Sequence, residues 1–129
     1  MGIGTMNSQA QSLGTLKWQN RIIILMDAAG DTQVRNAQLA AFKAVESELQ
    51  ERDLLIFCYN GRQLLNQDLT LSSYKIFGVD ELSFQGVILL GKDGGVKLKE
   101  PFPVAPQRIF TLIDGMPMRR AELKRSGKH

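Results

Sequence analysis

Two unbroken apolar runs constrain this chain more than any other feature. Arg21-Ile-Ile-Ile-Leu-Met26 and Leu54-Leu-Ile-Phe-Cys-Tyr59 lack the polar alternation of a strand with one wet face, so each reads as a strand buried on both sides. Asp27-Ala-Ala-Gly30 closes the first run, and Asp31 or Thr32 can cap the element that follows. From there Val34, Ala41, Phe42, Val45 and Leu49 recur at helical spacing, with Arg35, Gln38, Lys43, Glu46 and Glu48 between them. That pattern predicts one amphipathic helix reaching about Arg52. Asp53 opens the second run and Asn60-Gly61 closes it. A strand, helix and strand of these lengths make a parallel pair joined by a right-handed crossover.

The remainder reads as a hairpin followed by helices. Ser72 or Ser73 is positioned to start a short helix through Tyr74, Ile76 and Phe77, with Gly78 as its stop. Phe84 to Leu90 reads as a third strand, Gly91-Lys-Asp-Gly-Gly95 as a turn and Val96 to Leu98 as a fourth strand. Pro101, Pro103 and Pro106 punctuate a connector, after which Ile109, Leu112, Ile113 and Met116 form another helical stripe. Pro117 cannot continue that helix but suits the first position of a new one, so a break at Met116 and a short basic final helix are expected. The order βαβ then ββα puts a parallel pair and an antiparallel hairpin into one four-stranded mixed sheet, with helices over both faces. This is the thioredoxin-like α/β arrangement. The expected organisation is a flexible segment over residues 1–15, a single domain over 16–125 and a flexible tail over 126–129.

Composition removes a good deal of chemistry. A chain of 129 residues with 43% apolar content builds a core without a disulfide or metal staple. Its longest apolar runs are strand-sized, far short of a membrane-spanning helix. Cys58 is the single cysteine and His129 the single histidine. No intramolecular disulfide, zinc cluster, CxxC motif, Ser-His-Asp triad or ordered Cys-His pair can be assembled from them. No catalytic residue, metal ligand or cofactor is therefore assigned. Residues 1–17 hold neither the charged start nor the apolar stretch of a secretory signal. The expected compartment is the cytoplasm, or the periplasm or exterior where a leader has been removed.

The net charge of +3 is unevenly spread. Arg119, Arg120, Lys124, Arg125 and Lys128 face Glu122 alone, while the rest of the chain is near neutral. Such an end can attract anionic partners, or simply complement the dipole of its own helix.

Four stretches carry a resemblance. They are Trp18-Gln-Asn-Arg21, Glu51-Arg-Asp53, Leu90-Gly-Lys-Asp-Gly-Gly-Val-Lys-Leu98 and Ile113-Asp-Gly-Met-Pro-Met-Arg-Arg120. In them the chain resembles the P-DUDES family, catalogued in bacteria as domain of unknown function 4174 and found as repeated modules in secreted vertebrate matrix-associated proteins. The resemblance covers roughly residues 16–124 and implies a thioredoxin-like fold; it implies no particular activity.

Redox-active members of that fold class carry a cysteine where the first strand passes into its helix, and here that stretch, Asp27 to Val34, holds no sulfur. The proline usual before the third strand is also missing near Ser83. Cys58 reads as a small core residue, with a single-cysteine peroxidase as the rival reading. The glycine-rich Gly91–Lys97 segment joins two strands rather than entering a helix, which favours a hairpin over a phosphate loop. Asp27 and Asp31 resemble a carboxylate pair, Asp31 being more simply a cap, and Arg21 and Asp53 flank the buried strands, where a partly buried ion pair between them or with neighbours could form. The candidate binding residues are Lys92, Asp93 and Lys97 on the hairpin, with Asp114, Met118, Arg119 and Arg120 at the Met-Pro-Met corner. They suit an adaptable surface for a protein or an anionic ligand; no interleaving of aromatic and basic residues points to nucleic acid. The expected role is a non-redox binding module, the alternative a peroxiredoxin-like oxidoreductase using Cys58.

Overall fold

A computed structural model describes residues 11–75 and 82–127. The elements are β1 (Gln11–Ser12), a 3-10 turn (Leu13–Leu16), β2 (Arg21–Asp27), α1 (Thr32–Lys43), α2 (Glu46–Glu51) and β3 (Leu54–Tyr59). They continue with β4 (Leu64–Leu65), β5 (Tyr74–Lys75), β6 (Gln85–Leu90), β7 (Val96–Pro101), α3 (Pro106–Asp114) and α4 (Pro117–Arg125).

The main sheet has the order β4-β3-β2-β6-β7. Strands β2 and β3 run parallel, with Arg21 opposite Leu54 and Met26 opposite Tyr59, and the remaining pairs are antiparallel. The parallel pair and the hairpin thus share one mixed sheet, as their apolar runs require. A fifth strand, β4, adds a short edge against β3 that the polar segment after Asn60-Gly61 did not announce.

Alternation along the strands divides the core in two. Ile23, Leu25, Ile56, Cys58, Val87 and Leu89 meet Leu39 and Phe42 of α1, Leu49 of α2, and Ile109, Phe110 and Ile113 of α3. The opposite side chains, Ile22, Ile24, Met26, Phe57, Ile88 and Leu90, pack against Leu13 and Leu16. Among the described residues the second face is covered by that short 3-10 helix and by Tyr74, whose ring meets Phe57 edge-on at 5.8 Å. Folded structure also reaches back to Gln11, ahead of the expected boundary at residue 16, because Leu13 and Leu16 lie one turn apart and both plug this face.

Three local readings need correction. The long helix divides, because Val45 leaves helical geometry (φ −125°, ψ 40°) and restarts the chain as α2. The apolar stripe of α1 is also offset from its apparent position. Val34 is exposed, while Arg35 and Gln38 are buried. Gln38 earns burial by pairing with Val104 as a backbone would, its Nε2 donating to the Val104 carbonyl at 2.8 Å and its Oε1 accepting from the Val104 amide at 2.7 Å. Finally, Ser72 caps no helix; its hydroxyl accepts from the Tyr74 amide at 2.9 Å, and Tyr74–Lys75 pairs in parallel with β1. Ile76, Phe77 and Gly78 lie outside the described residues, as do Lys128 and His129.

The turn between β6 and β7 closes with a hydrogen bond from the Gly91 amide to the Gly95 carbonyl at 2.9 Å. Gly94 takes φ +85°, a conformation that favours glycine, whereas the 2.6 Å approach of a Cβ there to the end of the Lys17 side chain could be relieved by moving that flexible chain. After α3, Gly115 caps the helix, Met116 extends to φ −80°, ψ 145° and Pro117 opens α4, the break expected at Met116.

Candidate functional site

The two ends of the parallel pair are chemically unlike. At the end where β2 and β3 begin, eight charged side chains interlock. Glu122 on α4 accepts from Arg21 through both oxygens at 3.2 Å, and its Oε2 also accepts from Lys92 Nζ at 2.7 Å. Lys92 donates in addition to Asp53 at 2.8 Å, and Arg21 to the Arg52 carbonyl at 2.9 Å. Arg52 forks onto Asp114 at 3.0 and 2.8 Å while its guanidinium lies 4.5 Å over the Phe110 ring. Arg119 completes the set, bonded to Asp114 at 3.1 Å and to Glu51 at 2.7 Å.

The acids Glu51, Asp53, Asp114 and Glu122 match the bases Arg21, Arg52, Lys92 and Arg119, so the network is internally neutral. Arg21 is 1% exposed and Arg119 4% exposed, a burial that only such pairing makes tolerable. Burial by itself would raise the Glu122 carboxyl, but hydrogen bonds from Lys92 and Arg21 overcome it and hold the group below its ordinary range. Asp114 behaves alike: burial pushes it up, and Arg52 and Arg119 pull it further down.

The network separates the expected site residues. Lys92, Asp114 and Arg119 are consumed in holding α4 against the sheet. Of the ion pairs anticipated for Arg21 and Asp53, those with neighbours form: Arg21 pairs with Glu122 and Asp53 with Lys92, while the Arg21 amide donates to the Asp53 carbonyl at 3.0 Å. Asp93, Lys97 and Met118 remain exposed around a cleft of about 260 Å³ between the hairpin and the start of α4. Met116, Pro117 and Met118 form its apolar wall, and Arg21 and Lys92 lie against its base. Arg120 is exposed as well, but falls two residues after Met118, about 200° around the helix, and does not line the cleft. The Gly91–Lys97 and Met116–Met118 motifs, some twenty residues apart in the chain, therefore line one surface. Trp18, 65% exposed at φ 69°, does not line the cleft but is tied to the hairpin that does, its amide donating to the Lys92 carbonyl at 2.6 Å.

At the other end, where β2 runs into α1, the structure is closed. Asp27 is fully buried; its Oδ1 accepts from the Asp31 amide at 2.8 Å and from Gln85 Nε2 at 2.6 Å. Its Oδ2 has no hydrogen-bond partner, the nearest cation being Arg35 at 3.9 Å. Asp31 accepts from the Val34 amide at 3.5 Å, the capping role foreseen for it, so Asp27 and Asp31 are not a working carboxylate pair. Cys58 is fully buried on β3, and burial pushes its thiol up to about 11 despite the opposing pull of Arg35 and Lys43. A thiol in that state is scarcely ionised near neutral pH and is a poor nucleophile.

Glu122 carries the most consequential contacts that sequence reasoning left unassigned. Its signal was present: it is the one acid in an otherwise cationic terminus. Arg35 and Gln38 gave no such signal, because polar residues beside a helical stripe ordinarily face water.

Among the described residues there is no group of His, Cys, Asp and Glu side chains suited to a metal ion, and no helix is long and apolar enough to cross a membrane. Fold and site together define an α/β domain with a five-stranded mixed sheet, sealed at one strand end and pinned by an ionic network at the other. The model of the family described as a domain of unknown function (DUF4174) matches residues 12–122. The chain belongs to that family. No curated protein and no solved structure matches it.

Proposed function

We propose that this chain is a thioredoxin-like domain that has given up redox chemistry and serves as a binding module. The observation that carries the reading is the convergence of two separate motifs on one exposed cleft, while the place for a reactive sulfur is filled by a buried aspartate and a helix cap. The strand arrangement supports the scaffold half of the proposal: β2 and β3 parallel, β6 and β7 added antiparallel, with α1 to α3 packed on one face. The state of Cys58 supports the non-redox half, since a buried thiol titrating near 11 offers little thiolate to a peroxide.

The test is to supply the purified protein with hydrogen peroxide and a thiol reductant and follow peroxide consumption. We expect no turnover above the protein-free rate. Turnover that disappears in a Cys58→Ser variant would overturn the proposal in favour of a peroxiredoxin-like oxidoreductase.

A further inference from the structure

We infer that the cleft beside α4 docks an acidic peptide segment that presents one apolar side chain. The inference rests on the binding-module reading and gives it a class of partner.

Size comes first. Pockets for small molecules commonly enclose roughly 300–1,000 Å³. The cleft, at about 260 Å³, suits a single inserted side chain better than a free metabolite. Its wall of Met116, Pro117 and Met118 is apolar and deformable, the kind of surface that adapts to different apolar anchors. Met118 is exposed despite its apolar character, and so is Trp18 on the far side of the hairpin. Trp18 holds a positive φ and a short backbone hydrogen bond to Lys92, so its ring is presented from a fixed backbone rather than a loose loop. Rigid exposed tryptophans of this kind are frequent anchors in protein interfaces.

Charge then selects the partner. The network's bases are buried and its acids Glu51 and Asp53 exposed, but of the described charged side chains that line the cleft Arg21, Lys92 and Lys97 are cations and Asp93 the one acid. Lys97 on the cleft and Arg125 further along α4 are exposed cations that a partner meets. Lys97 pairs with Asp93 at 2.9 Å, but both are exposed, and such a pair is worth at most about 1 kcal/mol. Lys97 can therefore exchange Asp93 for an incoming carboxylate at little cost. Arg125 lies seven residues after Met118 and hence on nearly the same side of α4, about 10 Å further along the helix. An extended acidic peptide with its apolar residue against Met118 reaches both cations.

The test uses a fluorescein-labelled peptide of glutamates around a central phenylalanine, titrated with the full chain at low salt. Anisotropy reports binding. Trp18 is the only tryptophan, so its emission reports whether binding occurs at this end of the sheet. We expect binding with a change in Trp18 emission, weakened about tenfold by either Met118→Asp or Lys97→Glu. Replacing the peptide phenylalanine by serine should weaken it similarly. Arg62→Glu places the same charge change in the exposed loop after β3, at the opposite end of the sheet, and should have no effect. Because Met118 and Lys97 are exposed, unchanged melting curves will certify the variants, and Lys97→Ala supplies a milder check on the same contact.

Absence of binding, equal weakening by Arg62→Glu, or indifference to Met118→Asp would overturn the inference. So would tighter binding of a single-stranded oligonucleotide through the same residues. A glutamine version of the peptide that binds as well as the acidic one would overturn the acidic class while leaving the binding module standing. Peroxide turnover through Cys58 would remove the module reading by a separate readout.

Discussion

The two ends of the parallel pair solve the same problem, buried charge, in opposite ways. Where β2 begins, Arg21 is buried because Glu122, Lys92 and Asp53 extend a network around it, and that network is also what holds α4 in place. Where β2 ends, Asp27 is buried with one satisfied oxygen and one whose nearest cation stands 3.9 Å away. The adjacent helices repeat the contrast. Both α3 and α4 begin with proline and lack a side-chain cap, yet α3 buries Ile109, Phe110 and Ile113 whereas α4 buries Arg119 alone. A helix with no buried apolar residue has little hydrophobic free energy to dock it. Its position depends on charge pairing, and the cleft it borders depends on its position.

The most direct way to break this comparison is to remove the central acid. Glu122→Ala leaves Arg21 and Lys92 partly unpaired in a dry setting and should cost about 3 kcal/mol. For a domain of this size that lowers the melting temperature by roughly 10 °C, measured by circular dichroism. A variant that melts like the parent would show that α4 is held by something other than the network.

Acid should weaken the same end selectively. Glu122 and Asp114 have folded-state carboxyls depressed below their ordinary values of 4.5 and 3.8. The unfolded chain therefore binds more protons than the folded one in that range, so their stabilisation is complete above about pH 5 and drains away as pH falls through the depressed values. Denaturant melts at descending pH should show this loss in the parent, and a shallower one in Glu122→Ala.

Asp27→Asn sharpens the contrast from the other side. It keeps an acceptor for the Asp31 amide but places a donor toward Arg35, and should cost about 1–2 kcal/mol in a urea melt. A loss as large as that of Glu122→Ala would mean that the closed end is as dependent on its charge as the networked one. Smallest of all, Asp93→Asn removes an exposed ion pair while keeping a turn acceptor for the Gly95 amide, and should shift stability by about 0.5 kcal/mol.

Much of the fold was legible because apolar periodicity is a local signal. The two continuous runs became β2 and β3, the glycine-rich turn became the β6–β7 hairpin, and Pro117 opened α4. Signals that depend on a distant partner were not legible. Val45 breaks the long helix in response to the core beneath it, Gln38 is buried because Val104 lies opposite, and Tyr74 extends because β1 is there to pair.

The candidate site divides along the same line. The residue types were visible in Gly91–Lys97 and Asp114–Arg120, but whether each faces water or another charge was not. Lys92, Asp114 and Arg119 turned inward to the network, Asp93, Lys97 and Met118 outward to the cleft, and Arg120 outward on the far side of its helix. What the chain by itself determined is its four long strands, the hairpin turn and the sulfur-free passage from β2 to α1, since backbone preference and side-chain chemistry are properties of single residues and their neighbours. Only the tertiary structure decided which charges cancel and which stay free to bind. Ion pairing is settled by distance in space, and Arg21 meets Glu122 across a hundred residues of chain.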